Sequence, residues 1–409
     1  MRMPLFARIT LPLAGLNFVN QASRTVIATI GPILAVEFAL SASALGLLAA
    51  LFFAAYAAAQ LPVGLAIDLW GARRVQAALA LVCAAGFALC ALADGPALLA
   101  IGRVVTGLGV SAGFIAMLKV NTQWYPRDRV AGMTGLGVFV GALGSLAATV
   151  PAAALLPLVG WRGLFGLLGM LSLLVSAWIW LSVPDRPPGA APPPRRRLGA
   201  EAAEFGRICA HPAFIRFVPG IALLASLNFT YQGLWAGPWL RDAGGQDDAA
   251  RAGLLFVYAL GLMAGSLGTG QASSALQRRG VSPMAVPLLA MGVIAACQAL
   301  LIWRPSTDPL FLGPVWFVFA VCGAAGPAGY AAIGQRFGAE LAGRVATAIN
   351  AAMLVLVFLL QNAIGLILDL WPRTPAGGWE PEGYAWAFGM TLVLQALSAI
   401  WMLRRVRGE

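Results

Sequence analysis

The chain has 409 residues, of which 60% are hydrophobic and 11% charged, and its net charge is +11. Soluble domains carry about 25% charged residues, so a water-soluble fold is excluded. The positive excess lies in short loops between apolar runs rather than on one surface, which excludes nucleic acid as a partner.

Runs of about 20 apolar residues, the length that crosses a bilayer as a helix, recur along the chain. They predict twelve spans: 8–36, 42–66, 75–94, 97–124, 130–156 and 162–183, then 213–239, 251–274, 284–304, 310–333, 344–370 and 384–404. The opening "MRMPLFARITLPLAGLNF" has the basic and apolar character of a secretory leader. No small-residue cleavage site follows cleanly, so it is read as a retained first span. Between spans six and seven, "PDRPPGAAPPPRRRLGAEAAEFGRICAHP" is rich in proline and arginine. It divides the chain into an N-terminal six-helix bundle (1–184), a cytoplasmic linker (185–212) and a C-terminal six-helix bundle (213–409), with a short helix expected over 199–210.

Charge sets the orientation. Arg73, Arg74, Arg127, Arg129, Arg195, Arg278, Arg279, Arg404 and Arg405 fall on one side, whereas Glu37, Asp94, Asp242, Asp247, Asp308 and Glu380 collect on the other. With positive charge inside, both termini are expected in the cytoplasm of a multi-pass protein of the bacterial inner membrane. The five cysteines form no CxxC pair, the only histidine is His211, and the methionines are scattered. No catalytic triad, metal cluster or nucleotide-binding P-loop appears. No enzyme activity, metal or cofactor is expected, and transport without ATP hydrolysis is secondary.

The second half repeats the first. "LNFVNQ" at 16 matches "LNFTYQ" at 227, "GLAIDLWGARR" at 64 matches "GQASSALQRRG" at 270, and "RVAGMTG" at 129 matches "RVATAIN" at 344. The loop after span two, with Gly64, Asp68, Gly71, Arg73 and Arg74, resembles the signature of the major facilitator superfamily. "RVVTGLG" (103–109), "GWRGLF" (160–165) and "VPDRP" (183–187) resemble that family's pattern too, and the likeness covers nearly the whole chain. It implies an all-α membrane protein with twelve transmembrane helices in two pseudo-symmetric six-helix halves. It also implies that Asp68 contacts the second half and holds one alternating-access state, with Gly64, Gly71, Arg73, Arg74 and Arg129 in the same conformational latch. Topogenic arginines and a helix cap would explain those residues without a latch. The second copy has Ser274 where the first has Asp68, so that latch is one-sided. The drug–proton antiporter motif Gly-Pro-x-x-Gly-Gly is absent from span five.

Repeat-built transporters bind substrate near the bilayer midplane. Asn17, Asn20, Gln21 and Arg24 are spaced i, i+3, i+4, i+7 and share one helical face. Asn228, Tyr231, Gln232 and Trp235 repeat that face. The amides either line a cavity or tie helices together, and both readings stand. An arginine at a span centre costs about 2.5–3.5 kcal/mol on insertion scales, while Glu37, Asp68, Asp94 and Asp369 all fall near span ends. Arg24 therefore points to an anionic ligand, whose two oxygens its planar fork matches. Tyr56, Gln60, Tyr330, Asn350, Gln361 and Asn362 are further lining residues, and Lys119 either adds positive charge or snorkels to the interface. Pro238 is expected to break span seven, with Trp235 and Trp239 as a gate or as interfacial anchors.

The function expected is that of a secondary transporter, symporter or antiporter, moving a small organic anion or zwitterion of carboxylate type by rocker-switch alternating access, as a monomer in the lipid bilayer. A drug or metabolite efflux antiporter is the alternative within transporters. A non-transporting receptor or scaffold is the alternative of another class.

Overall fold

A computed structural model describes residues 5–184, 198–337 and 341–403. The part of the linker at 185–197 lies outside the described residues, as do Arg404 and Arg405. Among the described residues the chain is helical, with one isolated bridge between Arg373 and Trp379. In unit order, the first six spans are α1 (Leu11–Glu37), α2 (Ala42–Trp70), α3 (Ala72–Ala91), the pair α4 (Pro96–Gly109) and α5 (Gly113–Trp124), α6 (Arg127–Ala147) and α7 (Val150–Ser182). The helix α8 (Leu198–Ala210) follows. The second six spans are α9 (Pro212–Thr230) with α10 (Ala236–Asp242), α11 (Asp248–Arg278), α12 (Ala285–Trp303), α13 (Pro309–Gly323) with α14 (Gly326–Gly334), α15 (Ala342–Leu368) and α16 (Pro381–Leu403).

Ten of these spans are long and apolar enough to cross a membrane, and a shorter apolar helix covers Gly132–Ala147 in α6. The twelfth is α1, whose hydropathy is lowered by its own polar stripe. Two boundaries are set by glycine. Gly71 adopts φ 85 between α2 and α3, and Gly160 adopts φ 65 inside α7, conformations that only glycine takes without strain. The Gly160 kink separates the last turns of span five from span six.

Span seven does not break at Pro238. A π-helical turn over Tyr231–Trp235 joins α9 to α10, and the Ala236 amide donates to the Tyr231 carbonyl. Proline removes one donor and crowds the carbonyl four residues back, which is Leu234. The wider turn absorbs both demands just before the proline, and the helix runs on to Asp242.

The chain divides into two compact units. Unit 1 is Met1–Ile30 with Leu48–Ala200, and unit 2 is Gly31–Leu47 with Glu201–Glu409. In lipid no hydrophobic force drives helix against helix, so small residues and close backbone approach must do it. In unit 1, a Cβ on Gly86 of α3 would meet the Thr106 amide of α4 at 2.6 Å, and one on Gly102 of α4 would meet the Cys90 amide at 2.9 Å. In unit 2, a Cβ on Gly261 of α11 would meet the Phe317 carbonyl of α13 at 2.5 Å. Gly86→Leu is therefore expected to push α3 from α4, costing about 1–3 kcal/mol or more as an overpacked interface. Thermal unfolding of the purified variant in detergent checks this, and an unchanged midpoint would show the contact to be dispensable.

Candidate functional site

In unit 1 the stripe on α1 meets α2. Arg24 is 6% exposed, and its Nε donates to Asn20 Oδ1 at 3.0 Å, one turn earlier. This bond sets the rotation of the guanidinium plane. Its Cζ lies 5.6 Å from the Phe53 ring centroid and 5.3 Å from that of Tyr56, distances at which the electron-rich faces attract the cation. Tyr56 and Gln60 are one turn apart on α2, as Gln21 and Arg24 are on α1, so both pairs share a face. Gln60 is 3% exposed, and neither of its side-chain polar atoms has a hydrogen-bond partner among the described residues. Gln21 Oε1 is buried in the same condition. Asn17, also buried, packs at Gly141 of α6, where only a glycine leaves room for its amide.

A second buried guanidinium lies nearby. Arg103 of α4 is 1% exposed, and its Nη1 donates to the Ser23 carbonyl at 3.0 Å and to Ser23 Oγ at 3.1 Å. Its Cζ sits 4.6 Å from the Phe52 ring centroid. At the far end of α2, Asp68 forms an ion pair with Lys119 of α5. Lys119 is thus paired at the bundle edge, an outcome neither the cavity nor the snorkelling reading anticipated. Arg73 lies over the Trp180 ring at 4.8 Å, while Arg74 and Arg129 are exposed. A Cβ on Gly64 would meet nothing within 4 Å.

In unit 2 the repeated stripe splits. Asn228 accepts from the Tyr258 hydroxyl at its side-chain Oδ1 (2.7 Å) and its carbonyl (3.1 Å), which ties α9 to α11. The Tyr231 hydroxyl is 2.9 Å from Thr391 Oγ1, and Gln298 Nε2 donates to Tyr231 (2.8 Å) and to Thr391 (2.7 Å). Gln395 Nε2 donates to Gln298 Oε1, closing an uncharged buried network that joins the π-helical turn after α9 to α12 and α16. Phe319, Phe388 and Trp316 ring Tyr231. By contrast, Trp235 is fully buried and its Nε1 donates to the Gln361 carbonyl at 3.2 Å. Both polar atoms of the Gln361 side chain and Nε2 of Gln232 are buried with no partner among the described residues. Tyr330 and Asn350 are half-buried on α14 and α15. Sequence reasoning missed Gln298, Thr391 and Gln395. The signal available was a polar residue in an apolar span and a Thr–Gln pair at i, i+4.

Across the known proteins, a family model described as Major Facilitator Superfamily matches residues 13–361. A relative from Cupriavidus necator, named "Probable sulfoacetate transporter", is 26% identical over 261 residues, covering 61% of this chain and 60% of that protein. The match thus spans about three fifths of that relative's length. A solved bacterial homologue of the human lysosomal transporter Spinster aligns with a TM-score of 0.74 at 19% identity, covering 98% of this chain and 97% of the other. A D-xylose–proton symporter aligns at 0.69 and 14%, covering 97% and 96%. These two likenesses concern the fold alone.

Gln298→Leu is expected to remove the bonds that Nε2 donates to the Tyr231 and Thr391 hydroxyls and the acceptor of Gln395 Nε2, leaving the two hydroxyls bonded only to each other and to the Phe388 carbonyl. Each lost partner costs about 1–3 kcal/mol, so the unfolding midpoint of purified protein should fall clearly. A midpoint equal to the parent's would mean that the network contributes nothing to stability.

Proposed function

Because the chain belongs to the major facilitator superfamily, we propose that it is a secondary transporter of a small organic anion, working by alternating access. The orientation proposed is that of the inner membrane with both termini in the cytoplasm, on the charge distribution of the loops. The observation that carries the anion reading is the Arg24 site. A buried guanidinium is held at a set angle by Asn20 and backed by two aromatic faces, with unpartnered buried amide atoms on Gln21, one turn before it on α1, and on Gln60, one turn after Tyr56 on α2. Buried polar atoms are nearly always paired, so the unpartnered donor Gln60 Nε2 marks a place for an oxygen atom brought by a ligand, while Gln60 Oε1 and Gln21 Oε1 would accept from a hydroxyl or amine of that ligand. A carboxylate or sulfonate has the charge and the planar or pyramidal oxygens for that fork. The name of the Cupriavidus necator relative, which refers to sulfoacetate, is in keeping with an organic anion.

The roles follow from position. Arg24 binds the anionic group, Asn20 orients Arg24, and Gln21, Gln60 and Tyr56 complete the anion's surroundings. Within unit 2, taken by itself, Gln232 Nε2 and both polar atoms of the Gln361 side chain carry the same mark of burial without a partner, and we assign them a hydrogen-bonding role toward a ligand in that unit. The hydrogen bonds of Asn228 and Tyr231 favour a supporting role for these two, because their polar atoms are already engaged.

The test is a thermal-shift screen of purified protein against carboxylates, sulfonates, amino acids, phosphate esters and cationic drugs, followed by counterflow in liposomes. Ligand stabilisation follows affinity by mass action. An anion should raise the midpoint of the parent and not of Arg24→Ala, and counterflow should fall by at least about 100-fold in that variant, the loss of a charge-assisted pair. Asn20→Ala should weaken binding less, by about tenfold, since it removes only the orienting bond. Stabilisation by cationic drugs alone, or full counterflow in Arg24→Ala, would overturn the reading.

A further inference from the structure

The heptapeptide that ends α2, "GLAIDLW" (Gly64–Trp70), recurs as "GLILDLW" (Gly365–Trp371) at the end of α15. The two copies stand in opposite conditions. Asp68 is paired with Lys119 inside unit 1, and the space beside Gly64 is open. Asp369 instead reaches the first turn of α2, a segment that groups with unit 2. Its Oδ1 accepts from the Ala42 amide at 2.7 Å and its Oδ2 from the Ser43 amide at 2.9 Å. Ser41 Oγ accepts from the Ala44 amide at 3.0 Å, so three of the amides that a helix start leaves without internal partners are taken. A carboxylate here also faces the positive end of the α2 dipole.

The glycines show the same contrast. A Cβ on Gly365 would meet the Ala42 carbonyl oxygen at 2.6 Å, and one on Gly46 would meet the Gln361 carbonyl oxygen at 2.6 Å. Backbone lies on backbone over about one turn, from Gly365 back to Gln361, and the Trp235 indole bonds that same Gln361 carbonyl. A helix cap alone needs one side chain. It does not need two glycines, one on each helix, nor a carboxylate supplied from a residue more than three hundred positions away.

We propose that residues 365–371 form a second latch, in which Gly365 lets α15 lie on the start of α2 and Asp369 clasps its first amides, and that the clasp releases in each transport cycle. On the orientation proposed above it acts at the outer face, opposite the 64–74 signature. The two copies of the motif thus work on opposite ends of α2. The clasp is independent of which ligand is carried.

Hydrogen exchange followed by mass spectrometry on the ligand-free full chain in nanodiscs tests it, and this readout does not depend on the Arg24 site. Asp369→Asn should speed exchange about tenfold throughout 31–47 and in the facing 357–368, with 213–230 unchanged. Ser43→Pro, which removes one of the two donors at a first-turn position where proline is tolerated, should do the same to a lesser degree. Gly365→Ile should mimic Asp369→Asn, and Gly64→Ile should leave both segments at the parent rate. Faster exchange confined to 42–44 would reduce Asp369 to a simple cap and overturn the latch, as would no change in either variant.

Discussion

The arrangement of unit 1 depends on burying two guanidinium groups in an apolar bundle. Each must be held by dipoles and ring faces, since membrane helices cannot rely on water. Arg103 fastens α4 to α1 through the carbonyl and hydroxyl of Ser23. Ser23 is the neighbour of Arg24, so this grip sets the rotation of α1 about its axis. With that rotation fixed, Arg24 turns to α2. The aromatic residues there divide the work, Phe52 against Arg103 and Phe53 with Tyr56 against Arg24. A short aromatic segment thus separates two like charges that would otherwise repel.

Along the repeated stripe, unit 2 meets the same demand without charge, its buried Arg251 lying in the first turn of α11 beside Asp248. Where the first stripe ends in Arg24, the second ends in Trp235, and the buried polar groups around that stripe are a phenol, hydroxyls and amides. The Tyr231–Gln298–Thr391–Gln395 network satisfies most of its own atoms, as buried networks must if they are to stabilise. Its position on α12 and α16 makes it a strut between spans. Within the network Gln395 Oε1 is left unpartnered, and outside it so are Gln232 Nε2 and both polar atoms of the Gln361 side chain. One repeated stripe has therefore diverged into a strut and a set of open hydrogen-bonding groups.

Much of this was legible in the sequence. Apolar run length located the spans, and the i, i+3, i+4, i+7 spacing of Asn17, Asn20, Gln21 and Arg24 foretold one face, because a helix imposes that spacing regardless of its neighbours. What stayed hidden depended on partners distant in the chain. Nothing local pairs Lys119 with Asp68, or turns Tyr231 away from Gln232 toward Thr391. Pro238 was misread for a related reason. The expected break assumed an α-helical register up to the proline, and the wide turn at Tyr231–Trp235 removes that premise.

That wide turn has a consequence for the repeat itself. The two stripes align residue for residue from Leu16 and Leu227, a constant offset that holds along the letters of the sequence. A π turn carries one residue more than an α turn, and each residue of a helix rotates its successors by about 100°. Beyond Trp235 the offset still pairs similar positions in the chain but no longer pairs similar directions in space. Span one and span seven are therefore twins only as far as the turn. Past it, Pro238 and Trp239 have no counterpart in span one that faces the same way, and internal symmetry becomes a poor guide to what they meet.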